Sequence, residues 1–197
     1  RARLRQVDLA LERLRWLPPI AADRGVAINI PDFKLWAYEK GADGRMRAAL
    51  ESDVVVGRQG RTPTPVFIAR MNAVDFNPYW NVPPSIARGE TLPRLRRDPG
   101  YLAREGMEFV AADGSVSREV TAANLEAVAQ GRMRIRQRPG PRNALGKVKL
   151  TMPNTMNIYL HDTPSRSLFA QARRDFSHGC IRVDKGVELA TFSLSRN

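Results

Sequence analysis

A chain of 197 residues suits a single domain with room for an insertion, and its 43% apolar content is enough for a proper core and argues against wholesale disorder. No apolar run approaches the roughly 20 residues that a membrane span needs. The net charge is +12, from 32 Lys and Arg against 20 Asp and Glu, a balance that attracts polyanions and acidic substrates. The basic residues are scattered and do not form a stripe interleaved with aromatics, and no nucleic-acid motif is present, so no nucleic-acid partner is expected. The chain opens on Arg1 without a signal-peptide pattern, which reads as a processed or trimmed piece that has lost its address. The single cysteine cannot form an internal disulfide. That count also fits an oxidising compartment that purges spare thiols, where the one kept calls for a reason.

In chain order, residues 2–16 carry Leu4, Val7, Leu11 and Leu14 at helical spacing, and Pro18-Pro19 stops the run. This predicts an entry helix packed on the domain. Strands are predicted over 26–30 and 33–38, broken at Pro31-Asp32, and over 46–56 after the turn Gly41-Ala42-Asp43-Gly44. The apolar run Val54-Val55-Val56 marks the buried end of the third strand. Thr62-Pro63-Thr64-Pro65 punctuates, 66–69 resumes extended structure, and 74–77 is short and extended. Strands with tight turns predict an antiparallel sheet or sandwich.

The character changes after Trp80. Helices are expected over 85–97, 101–105 and 122–129, with a strand over 107–111 and a turn at Asp113-Gly114. Residues 82–136 therefore read as an insertion within one domain spanning 1–197, and Gly140-Pro141 closes it. Strands return over 147–151 and 157–161. An irregular loop with a short helix fills 162–176, and a helix over 185–194 presents Val187, Leu189, Ala190 and Leu194 as its apolar positions.

The only two histidines, His161 and His178, both lie within 20 residues of Cys180. A thiol attacks only as thiolate, and an imidazole in contact can take its proton and later protonate a leaving amine. In Ser177-His178-Gly179-Cys180 small residues stand where the backbone must bend. Backbone N–H groups around Gly179 and Cys180 are candidates for an oxyanion hole. The bland alternatives are a buried apolar thiol and satisfied histidines. A zinc set of His161, His178, Cys180 and Asp162 is a third, disfavoured because His178 and Cys180 are only two residues apart. No metal and no cofactor are expected.

Ser177-His178-Gly179-Cys180-Ile181-Arg182-Val183, with His161 nineteen residues before the cysteine, resembles the L,D-transpeptidase signature. Further stretches resemble the large proteobacterial branch of that family, which carries a lid subdomain. They are Arg13-Leu14-Arg15-Trp16-Leu17-Pro18, Asn29-Ile30-Pro31, residues 77–87, 98–102 and 140–146, and Tyr159-Leu160-His161-Asp162-Thr163-Pro164. The likeness runs over about residues 13–190 and is weakest over 111–132. It implies a mostly β, sandwich-like catalytic domain with a helical lid at 82–136. It implies that Cys180 attacks the carbonyl of the diamino acid in a peptidoglycan tetrapeptide stem, that D-alanine leaves, and that an amine of a neighbouring stem takes the acyl group, giving a 3-3 type cross-link. His161 would be the base, and backbone around His178, Gly179 and Cys180 would hold the oxyanion. Trp80, Tyr159 and Ser177 would line the site, and Arg182 would meet a substrate carboxylate or brace it. Carbapenem-type inhibitors, a monomer and a periplasmic or cell-envelope address are also expected. Water as acceptor would make the same site an L,D-carboxypeptidase or endopeptidase. A non-catalytic peptidoglycan-binding module is the alternative from another class.

Overall fold

The computed structural model describes residues 2–15 and 22–195. The segment Trp16-Leu17-Pro18 and the helix stop at Pro18-Pro19 lie outside the described residues, as do the side chains of Arg13 and Leu14.

The structure is mostly β. Strands β1 (Arg24–Asn29), β2 (Lys34–Lys40) and β3 (Met46–Gly57) form an antiparallel meander. Four more strands extend it: β4 (Ala73–Phe76), β9 (Val148–Thr151), β10 (Leu160–His161) and β12 (Ile181–Val183). The order is β1-β2-β3-β12-β10-β9-β4, with β11 (Asp175–Ser177) also paired to β3. Two of the pairings, β10 with β12 and β11 with β3, are parallel.

Alternation along these strands separates two faces. Val54, Val56, Val148, Leu150, Leu160, Ile181 and Val183 all enter one core, together with Leu35 and Ala37. Helix α6 (Gly186–Leu194) lays Leu189 and Ala190 on that core. Each fully buried side chain of this size contributes roughly 1.5–3 kcal/mol, so this cluster is what holds the sheet.

Between β4 and β9 the chain leaves the large sheet and builds a second one, in the order β5-β8-β6-β7. Its strands are β5 (Trp80–Asn81), β6 (Met107–Ala111), β7 (Val116–Ser117) and β8 (Met133–Gln137). Helices α2 (Pro84–Ile86), α3 (Leu92–Arg97), α4 (Gly100–Arg104) and α5 (Ala122–Ala129) accompany it. Val82, Leu92, Leu95, Leu102, Phe109, Val128 and Ile135 make a second core that shares no residue with the first. Between α2 and α3 the turn Ala87–Thr91 is a π-helix, in which Leu92 N–H reaches back to the carbonyl of Ala87. Pro93 has no N–H to give, and the wider turn absorbs the break.

Several expectations need correction. Helix α1 (Ala2–Arg15) forms, but Leu4, Val7 and Leu11 are more than half exposed, so among its described side chains the stripe does not pack on the domain. Residues 66–69 form no strand, and Val66 and Ile68 point outward. The cause lies just upstream, where Pro63 and Pro65 cannot donate to a ladder and Thr64 is committed elsewhere. Only Leu160 and His161 of the 157–161 stretch pair as a strand. In α6, Val187 and Leu194 face solvent. The short strands β5, β7 and β8 were not anticipated, although the alternation Met133-Arg134-Ile135-Arg136-Gln137 carries the period of two that marks β8.

Candidate functional site

The face of the large sheet opposite the first core carries a polar row. Register sets it: Arg182 pairs with His161, His161 with Lys149, and Lys149 with Asp75. Residues paired across neighbouring strands share a face, so β12, β10, β9 and β4 present Arg182, His161, Lys149 and Asp75 side by side. Cys180 directly precedes β12. Ile181 N–H donates to the carbonyl of Tyr159 at 3.0 Å, which sets Tyr159 beside Cys180 and two residues from His161, on the same face.

The loop that carries the thiol is tied down on both sides. Ser177 Oγ donates to the carbonyl of Cys180 at 2.5 Å and accepts from Gly179 N–H at 3.1 Å. Thr64 Oγ1 donates to the carbonyl of Gly179 at 2.7 Å and accepts from Gly57 N–H at 2.8 Å. Thr62 Oγ1 donates to the carbonyl of Ser177 at 3.1 Å. Gly179 holds φ +120°, which side chains rarely adopt, and a Cβ there would meet Ile158 Cδ1 at 3.1 Å. Of the backbone donors expected at an oxyanion hole, Gly179 N–H is thus already engaged by Ser177. Those of His178 and Cys180 have no partner among the described residues.

His161 is buried, and its Nδ1–H donates to the carbonyl of Asp162 at 2.5 Å. That bond assigns the tautomer and leaves the Nε2 lone pair as the acceptor. Asp162 is fixed in turn, because its carboxylate accepts Lys147 N–H at 2.9 Å and pairs with Arg166 at 3.3 Å. Burial pushes the His161 pKa down to about 3, against the Asp162 bond that raises it, and the charges of Arg182 and Lys149 push it the same way as burial. The imidazole is therefore neutral at neutral pH.

Burial also raises the Cys180 pKa, while the Tyr159 backbone N–H and hydroxyl and the Lys149 and Arg182 charges favour the thiolate. Burial wins, and the resting group is a neutral thiol. Among the described residues Sγ contacts the carbonyl of Asn157 at 3.6 Å and hydrogen-bonds neither imidazole. Tyr159 is held protonated by burial and by the facing sulfur, with the Trp80 side chain acting in the opposite sense. Its ring lies 5.7 Å from the His161 ring. Arg182 has a lowered pKa from burial, offset by the sulfur's charge.

Of the residues singled out from sequence, Cys180, His161, Tyr159, Trp80 and Arg182 converge here, and Ser177 and Gly179 shape the loop. The His178 side chain goes elsewhere: its Nε2 meets Glu90 Oε1 at 2.7 Å, which joins the cysteine loop to the π-turn of the second unit. Sequence reasoning missed Thr64, Lys149 and the Asp162 carbonyl. The alternation Val148-Lys149-Leu150 was the readable signal for a lysine opposite the core. Among the described residues no cluster of three or more His, Cys, Asp or Glu side chains is placed to hold a metal ion.

A thiol, a neutral imidazole with a free lone pair and two cations stand together on one face of a sheet, a set of groups that thiol chemistry can use. Residues 23–194 match the YkuD family, the L,D-transpeptidase catalytic domain, and the chain belongs to that family. It is 36% identical over 184 residues to a putative L,D-transpeptidase of Haemophilus influenzae, a match that takes in 93% of this chain. The chain spans 36% of the length of that relative.

Proposed function

We propose that this domain forms an acyl-enzyme at Cys180 on a peptidoglycan tetrapeptide stem and passes the acyl group to an amine of a neighbouring stem, giving a 3-3 type cross-link. The observation that carries the reading is the neutral, oriented His161 on the same sheet face as the thiol, within a chain of this family. His161 Nε2 takes the Cys180 proton as sulfur attacks the carbonyl of the diamino acid, and the negative charge moves onto the carbonyl oxygen. The Cys180 and His178 backbone N–H groups, which have no partner among the described residues, would receive that oxygen. Collapse breaks the C–N bond, the imidazolium gives its proton to the nitrogen, and D-alanine leaves a thioester behind. The acceptor amine then attacks the thioester, His161 takes its proton, and the thiol is restored.

Arg182, Lys149 and Tyr159 support this order of events. Their charges and hydrogen bonds favour the anion on sulfur and disfavour a standing imidazolium. The resting pair is then neutral, and charge develops only as substrate is attacked. Residues 82–136 act as a lid over the site in this reading, with the His178–Glu90 contact as its clasp. A closed lid would exclude water and favour the amine acceptor. Peptidoglycan places the domain in the cell envelope. Among the described residues no helix is long and apolar enough to cross a membrane.

The test is incubation with a defined disaccharide-tetrapeptide, with products read by mass. Loss of D-alanine with dimer formation is expected. Loss without dimer would make the protein an L,D-carboxypeptidase. Cys180→Ala should stay folded, lose turnover and take up no carbapenem, whereas the parent gains one drug mass. Turnover by Cys180→Ala would falsify the covalent route.

A further inference from the structure

We infer that Lys149 is the specificity residue for the free carboxylate of the leaving amino acid, so that the site selects stems ending in an unblocked residue. This rests on the acyl-transfer reading above. The argument is one of order across the sheet. The thiol stands at the start of β12, the imidazole on β10 and the ammonium on β9, three neighbouring strands in that sequence. Strands lie about 4.8 Å apart. In the scissile unit the carbonyl carbon, the leaving nitrogen and the terminal carboxylate follow one another in the same order, and three bonds of about 1.3–1.5 Å separate the carbonyl carbon from the carboxylate carbon. A carbonyl at the sulfur with its nitrogen turned to the imidazole, where it must be to collect a proton, puts the carboxylate carbon within about 4 Å of the carbonyl carbon on the imidazole side, and the long Lys149 side chain, whose ammonium lies over the Tyr159 ring, reaches back toward it.

The lysine is held ready for such a ligand. Its ammonium lies 4.8 Å from the centroid of the Tyr159 ring, and that ring faces both His161 and the sulfur. Its acidic neighbour is Asp75, at 3.6 Å and with half its side chain exposed. A direct charge-assisted bond is about 2.7–2.9 Å, so Asp75 balances the charge without filling the ammonium's donor positions. Lys149 therefore keeps donors free for a substrate carboxylate. Arg182, on the other side of His161, is left to the sulfur.

The test compares two tetrapeptide stems, one ending in D-alanine and one in D-alaninamide, with the parent protein, Lys149→Gln and Lys149→Arg. The parent should prefer the free acid by roughly tenfold or more in kcat/KM, the scale of one charge-assisted contact. Lys149→Gln should bring the ratio of acid to amide close to one through a raised KM on the acid alone, on top of a slowing in kcat that both stems share because a charge beside sulfur and imidazole is gone, and Lys149→Arg should keep most of the preference. The proposal is overturned if Lys149→Gln retains the parent's ratio, so that the shared slowing is its whole effect, which would make Lys149 only an electrostatic neighbour of His161. Should Lys149→Gln not fold, a parent ratio near one, or no preference in Lys149→Arg, overturns it equally. Failure of the parent on both stems defeats the acyl-transfer reading itself, a different result from a parent that turns over both without preference.

Discussion

The buried imidazole makes a prediction about stability as well as catalysis. The native pKa of His161 is about 3, and an unfolded histidine titrates near 6.5. The native value lies below the unfolded one, so the unfolded chain binds the extra proton first. Stability from this group is fully present above about pH 6.5 and is lost as pH falls toward about 3. At pH 4.5 the loss is about 3 kcal/mol, from 1.4 kcal/mol per pH step over the two steps below the unfolded pKa. His161→Gln keeps a neutral side chain with an N–H to offer the Asp162 carbonyl and removes the titration. Urea unfolding of both proteins at about pH 8 and pH 4.5 should therefore show the parent losing about 3 kcal/mol more than the variant between the two conditions. Acid effects on groups away from this site are common to both proteins and cancel. Equal losses would refute the claim that His161 is held neutral by its surroundings.

Three further outcomes are expected. Alkylation of Cys180 by iodoacetamide should be slow near neutrality and keep accelerating above the ordinary thiol pKa of about 8.5, because burial raises the group; a plateau already at about pH 7 would contradict it. Thr64→Val strands Gly57 N–H and the Gly179 carbonyl, and should cost about 1–3 kcal/mol in unfolding along with a loss of turnover; unchanged kcat would show that the Gly179 peptide does not depend on Thr64. Asn143, buried, donates to the carbonyls of Pro78 and Arg138 and accepts Leu145 N–H at 2.8–3.0 Å, so Asn143→Ala should lower unfolding free energy by about 2–4 kcal/mol in a denaturant titration.

The sequence made some of this legible and hid the rest for identifiable reasons. The first three strands and α5 could be read because their patterns are local, namely alternation, a turn at Gly41–Gly44 and Thr121 capping Asn124 N–H. Cys180 and His161 stood out because the residue types are rare in this chain. Lys149, by contrast, is one of many cations, and only the pairing of β9 with β10 gives it meaning. Thr64 sits in a proline-rich stretch that reads as punctuation, and its partner Gly179 lies 115 residues away. Chain spacing put the imidazoles near the thiol but could not show that Sγ hydrogen-bonds neither of them, or that burial outweighs the charges that do face the sulfur. The stripe on α1 looked like a packing face because spacing reports amphipathicity and not the presence of a partner.

The place where the chain leaves the large sheet has its own consequence. Asn77 N–H donates to the carbonyl of Lys147 at 2.8 Å, so the roughly seventy residues between them depart and return through adjacent positions on β4 and β9. A segment joined at a single narrow neck, with an apolar interior of its own, can come undone without unzipping the strands beneath it. The ends stay tethered, so the entropy of closing that long loop is not lost again when the segment refolds. Such an arrangement favours two cooperative opening events rather than one. Amides of β6 and β8 should then exchange with solvent at a lower free energy than those of β3 and β12. The His178–Glu90 contact and Trp80 span the neck from the looser side, so partial opening there would release the nucleophile's surroundings while Cys180 and His161 kept their places on the firmer sheet.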